Sequence, residues 1–433
     1  MTSIILPLLA VLAAASAAAQ STFHGDVTRS GVYPEAGPAA APQVLWAFAA
    51  GGAIVGSPVV ADGVVYFGAL DGHLHALDAA SGRELWKFKS RMAIACTPAV
   101  DGGTVYFVSS TGALAALDAA TGAVRWVFAT EFERRFEARG LHGYPSPAQT
   151  VPDAWDVFTS SPAVAGGKVF FGCGDGGIYA VDAATGVLQW QHRTGDVVHA
   201  SPAVADGTVF VGSWDSRLYA LDIESGLLKW SFQAGLDPAI HNQEGFQSSP
   251  AVLDGVVYVG CRDAHVYALD AASGRRLWDY PTSKSWVIGT PAVRDGTVYV
   301  GTSDSARFMA LDARSGRLKF NFDAKAYVFS SAALAGGLAY FGCHNGTLYA
   351  VDAAGGTEVW SFRTPDSLAD RLGLLDPEGR LDPAAFTPLF GDFGDMYVDF
   401  YRFASLGAIM SSPAVVDGVV YFGSLDGHLY ALR

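Results

Sequence analysis

Polar side chains that could line a binding site stand in one register of three neighbouring segments of the chain. Each lies two residues before a Ser that opens a repeated pattern, and the three are Thr159, His199 and Gln247. The same register elsewhere holds small or apolar side chains, at Val55, Ala95, Ile288, Phe329 and Met410. Because identical registers of a repeat lie side by side, we expect the three polar groups to form one arc.

Further aromatic, imidazole and guanidinium groups occur close to this arc in loops and insertions. They are His142, Trp214, Asp215, His241, Asn242, Arg262, Asp263, Trp286 and His344. A cluster of such groups at the mouth of a ring is typical of a pocket for a small molecule or a peptide. The alternative is that these groups bond one another and fix inserted loops onto the ring, as buried polar groups generally do.

Motifs of hydrolases, nucleotide enzymes and metal sites are absent from the sequence. It contains no G-x-S-x-G, no H-E-x-x-H and no phosphate loop, so these chemistries are not indicated. Asp392, Asp395 and Asp399 could hold calcium but lack EF-hand spacing, and a solvated acidic loop is the alternative. The histidines named above come from separate segments without ligand spacing, and we expect no metal site.

The elements that position these residues are copies of one unit, clearest in SPAVADGTVFVGSWDSRLYALDIESGLLKW at residues 201–230. Its apolar run, Asp-Gly turn and β-branched run predict a hairpin, and an alternating run with a Ser-Gly turn predicts two more strands. Each unit should therefore be a four-stranded antiparallel sheet. Eight units open with Ser or Thr, at Ser57, Thr97, Ser161, Ser201, Ser249, Thr290, Ser331 and Ser412.

The aromatic residues near the ends of the units predict how the array closes. Seven units carry one, at Trp86, Trp126, Trp190, Trp230, Trp278, Phe320 and Trp360. The eighth unit stops at Arg433, whereas Trp46 lies eleven residues before Ser57, which is the usual spacing from an aromatic to the next opening residue. An N-terminal strand should therefore complete the last sheet and remove an exposed edge. The sequence predicts an all-β, eight-bladed β-propeller of four-stranded antiparallel blades, closed by this strand.

The segments outside the repeat suggest export and one elaborated face. Residues 1–19 are apolar and end in small residues, which predicts a cleaved signal peptide and a periplasmic or secreted protein, with a retained membrane anchor as the alternative. Residues 20–42 form a tail expected to lie across the ring, and residues 43–433 form the propeller. Insertions near 127–158, 234–246 and 362–409 all interrupt the connection between blades. They should build up one face, where we expect function to concentrate.

Local patterns within the insertions are weaker. The charged stretch at 131–139 could form one or two helical turns, and a helix is predicted near 367–375. An acidic and aromatic run follows at 391–403 and is taken as a loop.

Composition limits the partners and the cysteine chemistry. The chain has 42 acidic and 28 basic residues, a net charge of −14, which argues against nucleic acid or an anionic membrane as the main partner. After the N-terminal run, no segment is long enough to span a bilayer.

Cys173, Cys261 and Cys343 share one repeat position in non-adjacent blades, too far apart to bridge. Cys96 and Cys173, on neighbouring blades, are the pair that could bond.

The repeat G-x-x-D-x-x-L-Y-A-L-D-A-x-[ST]-G-x-x-x-W resembles the pyrroloquinoline-quinone-type (PQQ-like) propeller repeat over nearly all of residues 43–433. That family includes quinoprotein dehydrogenases and also non-catalytic propellers, such as the BamB-like periplasmic scaffold of outer-membrane protein assembly. The resemblance implies that each repeat Trp packs between blades against small residues.

The two branches of the family imply different functions. The enzymes pair their quinone with calcium held by carboxylate and amide side chains, and typically carry a disulfide between adjacent cysteines. This sequence has no adjacent cysteines and no C-x-x-C-H haem site. We therefore expect an exported binding or scaffold protein, with a protein partner or small ligand at the loop-rich face and no cofactor. The alternative is a PQQ- and calcium-dependent quinoprotein oxidoreductase.

Overall fold

The computed structural model describes residues 21–143, 150–386 and 393–433. The predicted signal peptide and Asp392 lie outside the described residues. Within them, eight antiparallel sheets of four strands each surround one axis. The innermost strands of neighbouring sheets contact one another from the first blade to the eighth and back to the first. The predicted all-β, eight-bladed propeller is confirmed.

Each blade is built from four strands that follow one another outwards from the axis. Blades 1 to 4 consist of Val59–Ala61, Val64–Gly68, His73–Asp78 and Glu84–Lys89; Ala99–Asp101, Thr104–Val108, Leu114–Asp118 and Val124–Phe128; Ala163–Ala165, Lys168–Gly172, Gly177–Asp182 and Leu188–Arg193; Ala203–Ala205, Thr208–Gly212, Arg217–Asp222 and Leu228–Gln233. Blades 5 to 7 consist of Ala251–Leu253, Val256–Cys261, His265–Asp270 and Arg276–Pro281; Ala292–Arg294, Thr297–Gly301, Arg307–Asp312 and Leu318–Asp323; Ala333–Ala335, Leu338–Gly342, Thr347–Asp352 and Glu358–Arg363. Blade 8 consists of Ala414–Val416, Val419–Gly423, His428–Leu432 and, from the other end of the chain, Val44–Ala49.

The strand Val44–Ala49 closes the ring, as the missing eighth aromatic predicts. It pairs antiparallel with His428–Leu432, so that Trp46 lies opposite Ala431. Gln43 and Arg433 extend the pairing through two backbone hydrogen bonds of 2.8 and 2.9 Å. The first and last strands of the repeat region therefore share one sheet.

The repeat tryptophans join each blade to the next. The indole N–H of Trp86 donates to the carbonyl oxygen of Ala119 in blade 2 (2.9 Å), and its ring lies on Gly122. Gly122 has a φ of 72°, and a Cβ there would lie 2.7 Å from the ring, so a glycine is required. Blade 8 ends before the corresponding turn. Trp360 donates instead to the carbonyl oxygen of Pro38 in the tail (2.8 Å).

The Ser or Thr that opens each blade forms part of a ring of hydrogen bonds around the axis. Among the described residues, its hydroxyl oxygen accepts the backbone N–H of the opening residue of the preceding blade at seven of the eight junctions. Among the described residues these donor and acceptor pairs, at 2.8 to 2.9 Å, are Ser57–Thr97, Thr97–Ser161, Ser161–Ser201, Ser201–Ser249, Thr290–Ser331, Ser331–Ser412 and Ser412–Ser57. The hydroxyl is needed because each bond satisfies a buried backbone donor.

The N-terminal tail lies across the axis on the face opposite the insertions. Backbone N–H groups of the innermost strands of blades 4 to 7 donate to tail carbonyl oxygens at 2.8 Å each. The fully buried guanidinium of Arg29 donates to the carbonyl oxygens of Phe23 (2.6 Å), Pro202 (3.0 Å) and Pro162 (3.2 Å). The tail therefore closes one end of the central channel.

The first insertion differs from its predicted structure. Residues 131–136 have no regular secondary structure, Glu137–Ala138 pairs with Val151–Pro152, and Leu141–Gly143 forms a 3-10 turn. The helical turns predicted at 131–139 are therefore wrong. Phe136 and the carboxylate of Glu133 turn inwards to the ring, where both are largely buried.

The third insertion holds two helices. Pro365–Ala369 begins after the N-cap Thr364, whose hydroxyl accepts the N–H of Ser367, and ends at Asp370 in the left-handed region. It is shorter and earlier than the helix predicted at 367–375. The run at 391–403 was predicted to be a loop, but Phe393–Ser405 is a helix because Phe400, Phe403 and Ala404 pack on the ring. Pro383–Ala385 is a 3-10 turn. None of the described helices is long and apolar enough to cross a membrane.

Candidate functional site

Thr159, His199 and Gln247 lie side by side at the axis, where their shared register places them. They line a cavity of about 50 Å³ together with the ring of opening hydroxyls. Phe23 of the tail and Phe329 of blade 7 line the same cavity. A space of this size holds only a few water molecules. The axial cavity is therefore too small for a substrate, and apolar as well as polar side chains line it.

His199 is held between two buried carboxylates of the first insertion. Its Nδ1 donates to Asp156 (2.7 Å) and its Nε2 donates to Glu133 (2.6 Å), while all three side chains are at least nine-tenths buried. Burial alone would lower the pKa of His199, but the charges of Asp156 and Glu133 raise it to about 10. The imidazole is therefore protonated at neutral pH, and its two ion pairs tie the insertion to the ring.

Arg262 is the centre of a second cluster, further from the axis. Its guanidinium is fully buried between two indole rings, 4.6 Å from the centroid of Trp214 and 3.7 Å from that of Trp286. Phe136 of the first insertion stacks on the other face of Trp214, with centroids 4.5 Å apart. The result is one continuous stack of four flat groups in which two cation–π contacts hold the arginine.

Asp153 neutralises Arg262. Its carboxylate accepts a hydrogen bond from Nη1 of Arg262 at 2.6 Å and lies 3.3 Å from Nε2 of His142. Burial would raise the pKa of Asp153, but the charge of Arg262 holds it well below its usual range. His142 in turn donates from Nδ1 to the side-chain oxygen of Asn242 in the second insertion (2.8 Å). This network joins two insertions to blade 5.

The sequence Asp153-Ala-Trp-Asp156 links the two clusters. Asp153 binds Arg262, the carbonyl oxygen of Trp155 accepts the amide of Gln247 (2.7 Å), and Asp156 binds His199. Sequence reasoning missed these residues, along with Glu133, because an insertion has no register relative to the repeat. The available signal was two acidic residues beside a tryptophan in a segment rich in proline.

The remaining predicted residues lie outside these clusters. Asp215 and Asp263 hold loops, since each accepts a tyrosine hydroxyl of its own blade at 2.5 Å and a backbone N–H of the preceding connection. His241 bonds Glu244 within the second insertion (2.5 Å). His344 is fully buried among aromatic rings, and burial lowers its pKa to about 4.

A pocket of about 550 Å³ opens between the second insertion and the loops of blades 5 to 7. Its walls are aromatic, and its polar groups include Asn242 and Gln243. The aromatic walls are Trp155, Trp286, Tyr327 and Phe329. The indole N–H of Trp286 is buried and has no hydrogen-bond partner among the described residues. Of the predicted residues, Asn242 and Trp286 reach this pocket.

All four cysteines are free and buried. Cys96 and Cys173, the pair that could have bonded, are both reduced. Burial raises the pKa of Cys96 to about 12, so this thiol is unreactive.

Comparison with known families supports the resemblance in the repeat. The family model described as "Outer membrane protein assembly factor BamB" (PQQ_2) matches residues 38–140, 145–284 and 239–370. The chain belongs to this family. No curated protein matches the sequence.

Solved structures share the propeller fold of this BamB-type family member at low identity. BamB from Moraxella catarrhalis is 17% identical, with a TM-score of 0.62 over 91% of this chain and 98% of that one. Quinohemoprotein alcohol dehydrogenase from Comamonas testosteroni is 16% identical, with a TM-score of 0.67 over 95% and 80%. A europium-containing methanol dehydrogenase is 13% identical, with a TM-score of 0.66 over 94% and 96%. The fold is thus common to BamB and to these two dehydrogenases.

The two clusters do not fit a quinone with its metal ion. The guanidinium of Arg262 fills the space between Trp214 and Trp286, so a flat cofactor has no room there. The buried carboxylates of Asp153 and Asp156 are already bonded to Arg262 and His199. Binding a metal ion there would leave these cations unpaired in the core, which is costly.

Proposed function

We propose that this chain is an exported binding protein of the BamB-type family that takes its ligand at the face covered by the three insertions, without redox chemistry. Export rests on the predicted signal peptide, and the periplasm is the proposed location. The observation that carries the proposal is the aromatic pocket beside the Arg262 cluster. Its volume of about 550 Å³ falls within the range of pockets that hold small ligands.

The surroundings of the pocket explain why it keeps its shape. Trp286 is pressed against Arg262, and Trp155 belongs to the segment whose aspartates bind Arg262 and His199. Two of the aromatic walls are therefore fixed before any ligand arrives, which lowers the entropic cost of binding.

The chemistry of the pocket indicates an amphipathic ligand. The aromatic rings offer flat apolar surface, and the polar residues Asn242, Gln243, Lys284 and Asp304 line the same pocket. A small molecule with one flat face meets these requirements, and so does an aromatic side chain of a partner protein.

The test is native mass spectrometry of the protein purified from its own host. We expect the wild type to retain an added mass, either a small molecule or a partner chain, and Ile240→Glu to lose it by placing a charge at the pocket wall. Leu227→Glu is the matched control, because Leu227 is an exposed apolar residue of blade 4 on the opposite face. Retention by both variants, or by neither, contradicts the proposed pocket.

The redox alternative has a separate test. A bound cofactor present at a hundredfold excess over its dissociation constant stabilises a protein by ~2.7 kcal/mol. We expect pyrroloquinoline quinone with calcium chloride to leave the melting temperature unchanged. Calcium-dependent reduction of a dye with an alcohol or sugar as substrate would overturn the non-redox proposal.

A further inference from the structure

Blade 1 has a combination of one aspartate and two histidines that the other blades lack. In blades 3, 4, 5 and 8 the Asp of the middle loop accepts a hydrogen bond from a Tyr four residues later, for example Tyr267 to Asp263 (2.5 Å). In blade 1 the corresponding pair is Asp71 and His75, with His73 between them. The loop and strand thus present an aspartate and two imidazoles where the repeat ordinarily has a phenol.

His75 is a buried imidazole with one ring nitrogen unused. Its side chain is 3% exposed, and its Nδ1 lies 2.8 Å from Oε1 of Glu84. Its Nε2 is buried and has no partner among the described residues. The ring stacks on Phe67 (4.9 Å between centroids) and meets the edge of Phe48 in the closing strand (5.4 Å). Both contacts fix its orientation.

The bond to Glu84 also determines the tautomer of His75. The carboxylate of Glu84 accepts a hydrogen bond from the N–H at Nδ1, so Nε2 carries no proton and keeps its lone pair. A carboxylate on one nitrogen and a free lone pair on the other is the arrangement found at histidine ligands of metal ions.

His73 and Asp71 supply two further donors next to His75. Residues two apart in a strand point to the same face, so both imidazoles share one side of the sheet. Asp71 Oδ2 lies 2.9 Å from His73 Nδ1, and one ligand atom of each of the three residues lies within 4.8 Å of the others. The side chains of His73 and Asp71 are 26% and 23% exposed, so both can rotate and the site is open to solvent.

We propose that Asp71, His73 and His75 bind a divalent transition-metal ion, for which zinc is a suitable probe. Two nitrogens and one carboxylate oxygen suit zinc, and they leave one coordination position for water. Calcium is disfavoured because it prefers oxygen ligands. The site lies at the seam between blade 1 and the closing strand, and it is independent of the ligand pocket.

The experiment is calorimetric titration of metal-stripped protein without a histidine tag with zinc chloride. We expect one zinc ion per chain, and a rise in melting temperature at saturation. His75→Tyr restores the residue found in blades 5 and 8 and should weaken zinc binding at least a hundredfold while the protein still folds. Glu84→Gln should weaken it about ten- to a hundredfold, as loss of an outer partner typically does.

The control is His265→Ala in blade 5, where Asp263, His265 and Tyr267 occupy the same three positions. We expect this variant to bind zinc like the wild type. His73→Ala gives a second test at a partly exposed position if His75→Tyr does not fold. Zinc binding that is absent in the wild type, or unchanged in both His75→Tyr and His73→Ala, overturns the proposed site.

Discussion

Arg262 is the residue whose environment most constrains the insertion face. It is fully buried, and its charge is balanced by Asp153 and by the faces of two tryptophans. Its Nε and Nη2 have no hydrogen-bond partner among the described residues. The stack compensates in part for these unpaired donors, and Arg262 helps to hold the first and second insertions on blade 5.

Replacement of Arg262 by leucine should strongly destabilise the protein. The substitution leaves the Asp153 carboxylate buried without its cation, and the expected loss in unfolding free energy is about 3–5 kcal/mol. Arg276→Leu is the control, since Arg276 forms an exposed pair with Asp279 and should cost less than about 1 kcal/mol. Urea denaturation measures both values. Similar losses for the two variants would contradict the central role of Arg262.

His199 predicts a pH dependence of stability. Its pKa in the folded protein is raised to about 10, above the unfolded value near 6.5. Its contribution is therefore complete below about pH 6.5 and is lost as the pH rises towards about 10. We expect the difference in melting temperature between wild type and His199→Gln to shrink over this interval. A difference that stays constant from pH 6 to pH 10 would show that the charge of His199 is not stabilising.

Sequence reasoning at this scale identified Thr159, His199 and Gln247 as neighbours because all three share a repeat register. It could not pair His199 with Asp156, because that carboxylate lies in an insertion whose path depends on packing. His75 was missed for a different reason. In the sequence, a histidine at a position where other blades have Tyr cannot be distinguished from an ordinary strand residue, because its unpaired Nε2 is visible only in the structure.

At the level of the blades, two contacts between neighbouring blades repeat around the ring. One is the hydroxyl that opens each blade, and the other is the indole that rests on a glycine of the next blade. Both connect neighbouring blades rather than strands within a blade. The contact between ring and glycine tolerates a different aromatic residue. In blade 6, Phe320 replaces the tryptophan and its ring lies on Gly356.

The tryptophan of blade 4 provides a test of the contact between the aromatic ring and the next blade. Trp230→Ala should lower the unfolding free energy by about 3–5 kcal/mol, because a large ring that is 9% exposed leaves a cavity between blades. Trp230→Phe is the matched variant, since it keeps the packing and loses the bond to the carbonyl oxygen of Ala271, at a cost of about 1 kcal/mol. Denaturation midpoints compare the two. Equal losses of unfolding free energy in the two variants would mean that the hydrogen bond, rather than the packing of the ring, stabilises the contact.

The strands of the blades follow directly from alternation and Asp-Gly turns, and they were predicted correctly. The insertions were harder, because their short apolar runs lack a repeat to compare with. Phe393–Ser405 is helical only because its aromatic side chains reach a cluster that includes Trp155 of another insertion. Tertiary packing of that kind cannot be read from local spacing.

For the whole molecule, closure depends on chain segments from both ends. Trp46 was recognisable because it keeps the repeat spacing. The contact of Trp360 with the carbonyl oxygen of Pro38 was not recognisable, because any residue can supply a backbone carbonyl. The tail therefore completes blade contacts as well as blocking the channel.

Deletion of residues 43–49 should be far more damaging than deletion of residues 20–33. The first removes the outer strand of blade 8 and leaves His428–Leu432 as an unpaired edge that can associate with other chains. The second removes Arg29 and opens the channel, but the ring remains closed. Thermal melting and size-exclusion chromatography should show oligomers only for the first deletion. Equal melting temperatures and equal elution would contradict closure by the N-terminal strand.

The pairing of Val44–Ala49 with His428–Leu432 also dictates when the ring can form. Val44–Ala49 is synthesised before the other strands of the ring and His428–Leu432 after them, so a growing chain carries an open array until His428–Leu432 has been made. A chain cut just before His428 would contain seven finished blades and still expose both strands that His428–Leu432 pairs with. Such a fragment presents unpaired strand edges and apolar surface, which favour aggregation. Synthesis of His428–Leu432 is thereby coupled to the burial of the seam.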